Sequence, residues 1–265
     1  MTDLHIHTVF SPDARCEMED YIKKAIEMGK KKIGFSEHIN IDFKFHKFAY
    51  ENSVDLDAYY QAITQMREKY GDKIEILFGG EIGYDNELQA DFREIVAKYP
   101  FDYIINSVHL VYGEDAWLMP FYENKTKKQA YDLYLDQVYD SVCGNYPYDI
   151  VGHIGYVIRR IPYADKSMGM EEFGEKIDKI LKKIIRLNKT LEINTNTRGM
   201  CDILPLIHVI KRYVELGGWK FSYGSDAHDL ERLYDQEDKV KDILKSLGID
   251  KTVCYRNGIE YFESL

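Results

Sequence analysis

The chain has 265 residues, 45% hydrophobic and 30% charged, and 35 basic against 45 acidic side chains give a formal net charge of −10. So much apolar material excludes a disordered or collagen-like chain. The acidic balance argues against nonspecific nucleic-acid or anionic-membrane binding, which runs on basic patches. The chain has no run of about 18 apolar residues, the length a membrane-spanning helix needs. The opening Met1-Thr2-Asp3-Leu4-His5 has neither the basic nor the apolar region of a secretory signal. Four scattered cysteines (Cys16, Cys143, Cys201, Cys254) form no CxxC pair, so neither a disulfide framework nor a thiolate zinc knuckle is expected. The expectation is a cytoplasmic single domain spanning 1–265.

In chain order, short apolar runs alternate with segments of helical period. A first strand is predicted at 3–7, a helix at 18–28 with Gly29 just past its end, and a strand at 32–36. A helix at 56–70 has Asp55 as N-cap and Gly71 as stop; a strand at 74–78 and a helix at 87–98 follow. Strand 103–108 precedes helix 127–142, and strand 150–152 precedes helix 171–186. Strand 191–194 leads to a helix beginning near Pro205, and strand 220–223 to a helix at 235–247. A strand at 252–255, a turn at Arg256-Asn257-Gly258 and a tail at 259–262 close the chain. Seven strand–helix units in alternation imply a parallel sheet, and at this length a closed α/β barrel. The long loops 39–53, 110–125 and 154–168 all follow strands, on the side where such folds place their chemistry.

Six of the eight histidines fall at or just beyond a predicted strand end, or on the first strand. If such positions make up about a tenth of a barrel sequence, chance would put roughly one there, and even half that contrast needs a cause. His5 and His7, two apart on a strand, share one face of the pleat. His38, His109 and His153 end strands two, four and five; Glu81 follows strand three, and Asp226 and His228 follow strand seven. A lone histidine at a strand end is most often structural, and Asp13 in Ser11-Pro12-Asp13 alone could be an ordinary Asx-turn. In a parallel barrel, however, all these positions meet on one rim, where imidazoles and carboxylates suit divalent Zn, Fe or Mn. Nine residues, with Glu81 bridging, would hold about three ions with vacancies for water and substrate. His208, mid-helix, reads as packing, and His46, in the Phe-rich loop, as a solvated residue with a substrate contact as the lesser alternative. Arg159, Arg160 and Arg198 lie on loops after strands five and six, where guanidinium forks could grip phosphate. No Walker loop, GxSxG elbow or GxGxxG is present.

Asp3-Leu4-His5-Ile6-His7-Thr8 with Ser11-Pro12-Asp13, Phe35-Ser36-Glu37-His38, Gly80-Glu81, Ser107-Val108-His109, Gly152-His153 and Ser225-Asp226-Ala227-His228 resemble the PHP (polymerase and histidinol phosphatase) superfamily. The match runs through nearly the whole chain in the family's order. The stretch Phe101 to His109 and the Arg159-Arg160 pair resemble its histidinol-phosphatase branch. The resemblance implies a distorted (β/α)7 TIM-like barrel with a trinuclear centre of Zn, Mn or Fe. One metal would take His5, His7, bridging Glu81 and Asp226; a second Glu81, His109 and His153; a third Asp13, His38 and His228. It further implies phosphate contacts from Arg159 or Arg160 and from Arg198, with Glu81, Asp226 and His228 as catalytic residues. The expected activity is hydrolysis of a small phosphomonoester, L-histidinol phosphate foremost, whose ammonium and imidazole would be met by Glu114, Asp115, Trp117 and Tyr122. An amidohydrolase would normally show eight strands and a bridging Lys where this chain has His109. An inert metal-binding PHP module could lose ligands freely, which the complete set of nine argues against.

Overall fold

The computed structural model describes residues 1–41 and 54–265; His46 lies outside the described residues. α1 (Met18–Glu27) buries Met18, Tyr21, Ile22 and Ala25, an i, i+3, i+4, i+7 stripe. Just past it Gly29, at φ 74°, lets its own N–H reach Ile26 O and that of Lys30 reach Ala25 O, each at 2.9 Å. That pair of hydrogen bonds closes the helix as a Schellman turn, which a side chain at Gly29 would strain. β1 (Lys32–Ile39), α2 (Leu56–Tyr70), β2 (Glu75–Gly83), α3 (Gln89–Lys98) and β3 (Tyr103–Ser107) come next. Asp55 caps α2 by accepting from Ala58 N–H at 3.0 Å. A small hairpin, β4 (Leu110–Val111) and β5 (Glu114–Asp115), precedes α4 (Lys127–Val142), which Thr126 and Gln129 start with a reciprocal capping box. Then follow β6 (Ile150–Val151), α5 (Met170–Arg186), β7 (Thr190–Asn194), α6 (Ile207–Glu215), β8 (Phe221–Gly224), α7 (Glu237–Ser246), β9 (Lys251–Arg256) and β10 (Ile259–Ser264). Pro205 falls before α6 rather than inside it, beside Leu204, which pairs with Asn194.

Six strands form a parallel sheet in the order β1-β2-β3-β6-β7-β8. Residues 3–7, expected as a regular strand, make only isolated bridges, yet they bond on both sides. Leu4 and His7 N–H donate to Tyr223 and Ala227 O at 3.0 and 2.9 Å, while Asp3 and Ile6 O accept from Gly34 and Ser36 N–H at 2.9 Å. The segment thereby joins the two edges of the curled sheet, and the fold is a distorted (β/α)7 TIM-like barrel. The distortion has a local cause. The buried Asp3 carboxylate accepts from the N–H groups of His5, Ser225 and Tyr234, diverting donors from a regular ladder.

Two strands run further than expected. β1 continues through His38, and β2 continues through Gly79-Gly80 to Gly83, so Glu81 stands within a strand and not after one. The glycine pair is not a break. A Cβ on Gly79 would sit 2.3 Å from the Tyr103 ring and 2.8 Å from Phe35 O, so only glycine lets Tyr103 lie across the barrel interior. Tyr103 uses that room to donate its hydroxyl to Leu4 O at 2.6 Å.

The larger core lies between the sheet and its helices. A second one fills the barrel's lower interior: Leu4, Leu77, Tyr103, Ile105 and Ile150 meet Val253, Cys254 and Tyr255 of β9. The expected terminal tail is a strand, β10, paired antiparallel with β9 across Asn257 and Gly258 at φ 51° and 73°. That two-residue turn has the positive φ values of a type I′ hairpin, and it plugs the N-terminal mouth.

Candidate metal centre

At the other mouth the nine expected ligands converge. Leu77, Gly79 and Glu81 share one face of β2, so the strand that carries core leucine below carries carboxylate above. Glu81 Oε1 lies 3.3 Å from His5 Nε2, 3.3 Å from His109 Nε2 and 2.8 Å from His153 Nε2. Its Oε2 lies 3.6 Å from His7 Nε2 and 2.6 Å from His38 Nδ1. Asp226 Oδ1 stands 3.5 Å from His7 Nε2 and 3.9 Å from His5 Nε2. At the edge, Asp13 approaches His38 Nε2 at 3.5 Å and His228 Nε2 at 3.2 Å.

Apart from the 2.6 and 2.8 Å contacts of Glu81 with His38 and His153, these separations suit ions. Metal–ligand bonds of about 2.0–2.1 Å in tetrahedral geometry leave ligand atoms roughly 3.4 Å apart, longer than most direct hydrogen bonds. His5 Nε2, His7 Nε2 and Glu81 Oε2 are buried with no hydrogen-bond partner, an expensive state unless a cation takes their lone pairs. Groups such as His5–His7–Glu81 and His38–Glu81–His109 bring all their donor atoms within 4.8 Å of one another, and His7 also joins His38 and His228.

Burial opposes charge on Glu81, Asp226, His5 and His7, so neighbours decide what each of these becomes. Glu81 stays well below the usual carboxylate range against its burial because His5, His109 and His38 surround it. Asp226 does so through Arg159 and His5. Burial would lower His5, but Glu192, Glu81 and Asp226 raise it well above its ordinary value. Burial, with His38 and His228 nearby, pushes His7 well below. Asp226 sits at φ 50°, a left-handed conformation uncommon outside glycine, and Asn196 Nδ2 pins its carbonyl at 3.0 Å.

Two carboxylates behind the cluster were not foreseen. Glu192 bonds His5 Nδ1, and Glu37 accepts from Thr8 N–H and from the hydroxyls of Thr8 and Ser11. Ser11 Oγ in turn lies 3.2 Å from His7 Nδ1. The signal for Glu192 was an acid between Leu191 and Ile193 on a strand buried along its length.

The cluster forms the floor of a cavity of about 300 Å³, at the small end of ligand sites. Arg159, Arg160 and Arg198 all line it, but they differ. Arg159 is buried and donates through Nη2 to Asp226 at 2.8 Å and Asn194 at 2.9 Å. Arg160 and Arg198 are exposed, and their guanidinium groups lie over the Trp117 ring at 4.8 and 5.5 Å. Trp117, one of the expected substrate contacts, lines the same cavity and carries both guanidinium groups against its ring. Asp115 lines the wall, with the Tyr156 ring tilted against those of His109 and His153 at 5.0 and 5.3 Å between centroids. The other two loop candidates are placed elsewhere. Glu114 is exposed and paired with Lys125 at 2.8 Å, and Tyr122 is buried with its hydroxyl on Ala116 O and Val157 O. His208 bonds Met168 O at 2.8 Å, the structural role expected of it.

Residues 3–196 match the model of the PHP domain family. The chain belongs to the PHP family. Within it, this PHP protein falls in the histidinol-phosphatase branch. It is 33% identical over 233 residues to the probable histidinol-phosphatase of Clostridium acetobutylicum, covering 85% of this chain and 86% of that one. The histidinol-phosphatase of Lactococcus lactis is 30% identical over 261 residues, 96% and 93% of the two chains. The crystal structure of the Lactococcus lactis histidinol phosphate phosphatase, complexed with Zn, L-histidinol and phosphate, superposes with a TM-score of 0.85 at 29% identity over 98% of each chain. The putative histidinol phosphatase of Listeria monocytogenes shares the fold, with a TM-score of 0.79 at 23% identity over 90% of this chain and 99% of that one.

Proposed function

We propose that this PHP protein is a metal-dependent phosphomonoesterase that hydrolyses L-histidinol phosphate to L-histidinol and phosphate, the whole of 1–265 acting as one catalytic domain. The observation that carries the reading is the nine-residue cluster with buried, unpartnered nitrogens and oxygen, set under a cavity that also holds three arginines. The likeness to histidinol-phosphatases over nearly the full chain supplies the substrate. All the donors are imidazole or carboxylate, which suits Zn, Mn or Fe. Three ions would be held by His5, His7, Glu81 and Asp226; by Glu81, His109 and His153; and by Asp13, His38 and His228. When bound, such ions lower the pKa of water toward neutrality and neutralise phosphoryl oxygens.

The chain's own groups do the rest. Arg160 and Arg198, steadied on Trp117, grip the phosphate from the rim, while Arg159 keeps Asp226 in place at the floor. His228, between Asp13 and Asp226, assists departure of the alcohol, as a ligand or as a proton donor. Asp115 and Tyr156 face the ammonium and imidazole of the substrate. No helix among the described residues is long and apolar enough to cross a membrane, and the reading places the enzyme in the cytoplasm, in histidine biosynthesis.

The deciding experiment assays purified protein on L-histidinol phosphate, glycerol phosphate and an aryl phosphate, with metal content measured in parallel. Two to three transition-metal ions per chain and at least tenfold preference for histidinol phosphate are expected. Active protein without stoichiometric metal would overturn the mechanism, and equal turnover of all three esters would overturn the substrate.

A further inference from the structure

Glu192 sits in the middle of β7, 1% exposed, and is not among the residues lining the cavity. Its two oxygens are used differently. Oε1 lies 2.5 Å from His5 Nδ1, while Oε2 accepts from His153 N–H at 2.6 Å and from Asn194 Nδ2 at 3.2 Å. No lysine or arginine pairs with it among the described residues, and its shortest side-chain contact is with the His5 ring. The barrel is shaped to admit it. A Cβ on Gly224 of the neighbouring strand would stand 2.3 Å from Glu192 Oε1 and 2.6 Å from His5 Cβ, so glycine there is what allows the carboxylate to reach the imidazole. Burying a carboxylate without a lysine or arginine costs stability, and here the contacts that offset it are the His5 ring, the His153 N–H and the Asn194 amide.

We propose that Glu192 is a positioning residue of the metal centre: by accepting from His5 Nδ1 it keeps that proton off Nε2, and by binding His153 N–H it holds two ligands from different staves to one carboxylate. This rests on the metal-centre reading above. The bare His5 Nε2, with no hydrogen-bond partner and facing Glu81, is the consequence. Replacement by glutamine inverts the arrangement. The amide oxygen would stay with the two donors at Oε2, leaving its NH2 toward His5 Nδ1. That nitrogen would then have to accept, and the ring proton would move to Nε2, where a cation must bind.

The test uses zinc-loaded enzyme, parent and Glu192→Gln, under competition with a chelator. Zinc affinity should fall about 10- to 100-fold in the variant, activity should return in excess zinc, and the melting midpoint of the two proteins in saturating chelator should agree within a few degrees. Glu192→Asp, which keeps the charge, should recover part of the affinity. In the zinc-loaded parent, a strongly deshielded ring N–H proton should be assignable to His5 Nδ1, identified by its loss in His5→Gln. A parent without that resonance overturns the proposal whether or not the variant folds. A variant that keeps parental zinc affinity, or one that merely melts earlier in chelator, overturns it too. A parent that holds no metal at all would instead remove the reading on which it rests.

Discussion

The two mouths of the barrel are built by the same staves and are opposite in chemistry. Below, Leu77, Ile105 and Ile150 are sealed by Val253 and Tyr255 of the terminal hairpin into a dry core. Above, four residues further along the same face of β2, Glu81 stands among five imidazoles. The lower mouth gains stability from burial of apolar surface, about 25 cal/mol per Å². The upper one gathers buried polar atoms that lack partners, and so gives up stability for a binding site. Parallel strands make this division possible, because every C-terminal end arrives on one rim and every N-terminal end on the other.

Swapping the two kinds of side chain for alanine on this one strand should separate the roles. Glu81→Ala should remove metal from the protein and nearly all of kcat, a loss of at least about 5 kcal/mol in transition-state stabilisation. Elemental analysis and steady-state kinetics check it, and an active Glu81→Ala enzyme would collapse the distinction. Leu77→Ala should do the reverse, lowering unfolding free energy by about 2–5 kcal/mol through a buried cavity while metal per chain stays parental. Urea titration beside elemental analysis reads both.

The lower mouth also carries a carboxyl that titrates in the acid range. Burial lifts Asp149 from 3.8 to about 6, against the Ile104 N–H that it accepts at 2.9 Å. Its proton is bound more tightly in the native than in the unfolded chain, so this group's contribution is complete below about pH 4, declines as pH rises toward 6 and is gone above that. Asp149→Asn should flatten that decline by on the order of 2 kcal/mol, measured as the difference between parent and variant in unfolding free energy at pH 4.5 and 7. An unchanged slope would mean that Asp149 ionises normally. The smallest effect separates two adjacent acids at the upper mouth. Asp115→Asn should narrow the preference for histidinol phosphate over glycerol phosphate about tenfold, the worth of one charged contact. Glu114→Gln, on a side chain committed to Lys125, should leave kcat/KM for both esters within about twofold.

Much of this architecture is legible along the chain. Helical period placed α2 and α4 at their observed bounds, and for α2 the Asp55 cap and the Gly71 stop marked both ends along the chain. The convergence of the nine polar residues was legible because a parallel barrel brings successive strand ends to one rim. Residues 3–7 read as an ordinary strand, since nothing local announces that Asp3 takes the N–H groups of residues more than 200 positions away. The strand expected at 74–78 stops short of Gly79-Gly80 because the Tyr103 ring that requires the glycine comes from another strand. Glu114, Asp115, Trp117 and Tyr122 looked alike as loop residues, and only packing sent one to Lys125, one to the wall, one under two arginines and one into the core.

By itself the sequence determined the alternation of strands and helices, the barrel class and the identity of the nine polar residues that meet, since each depends on spacing along the chain. The tertiary structure alone decided that an irregular segment closes the ring, that a hairpin plugs its base, and that Glu192 stands behind His5. Those outcomes depend on which distant side chains share a few ångströms, and spacing along one strand carries no record of what the neighbouring strand presents.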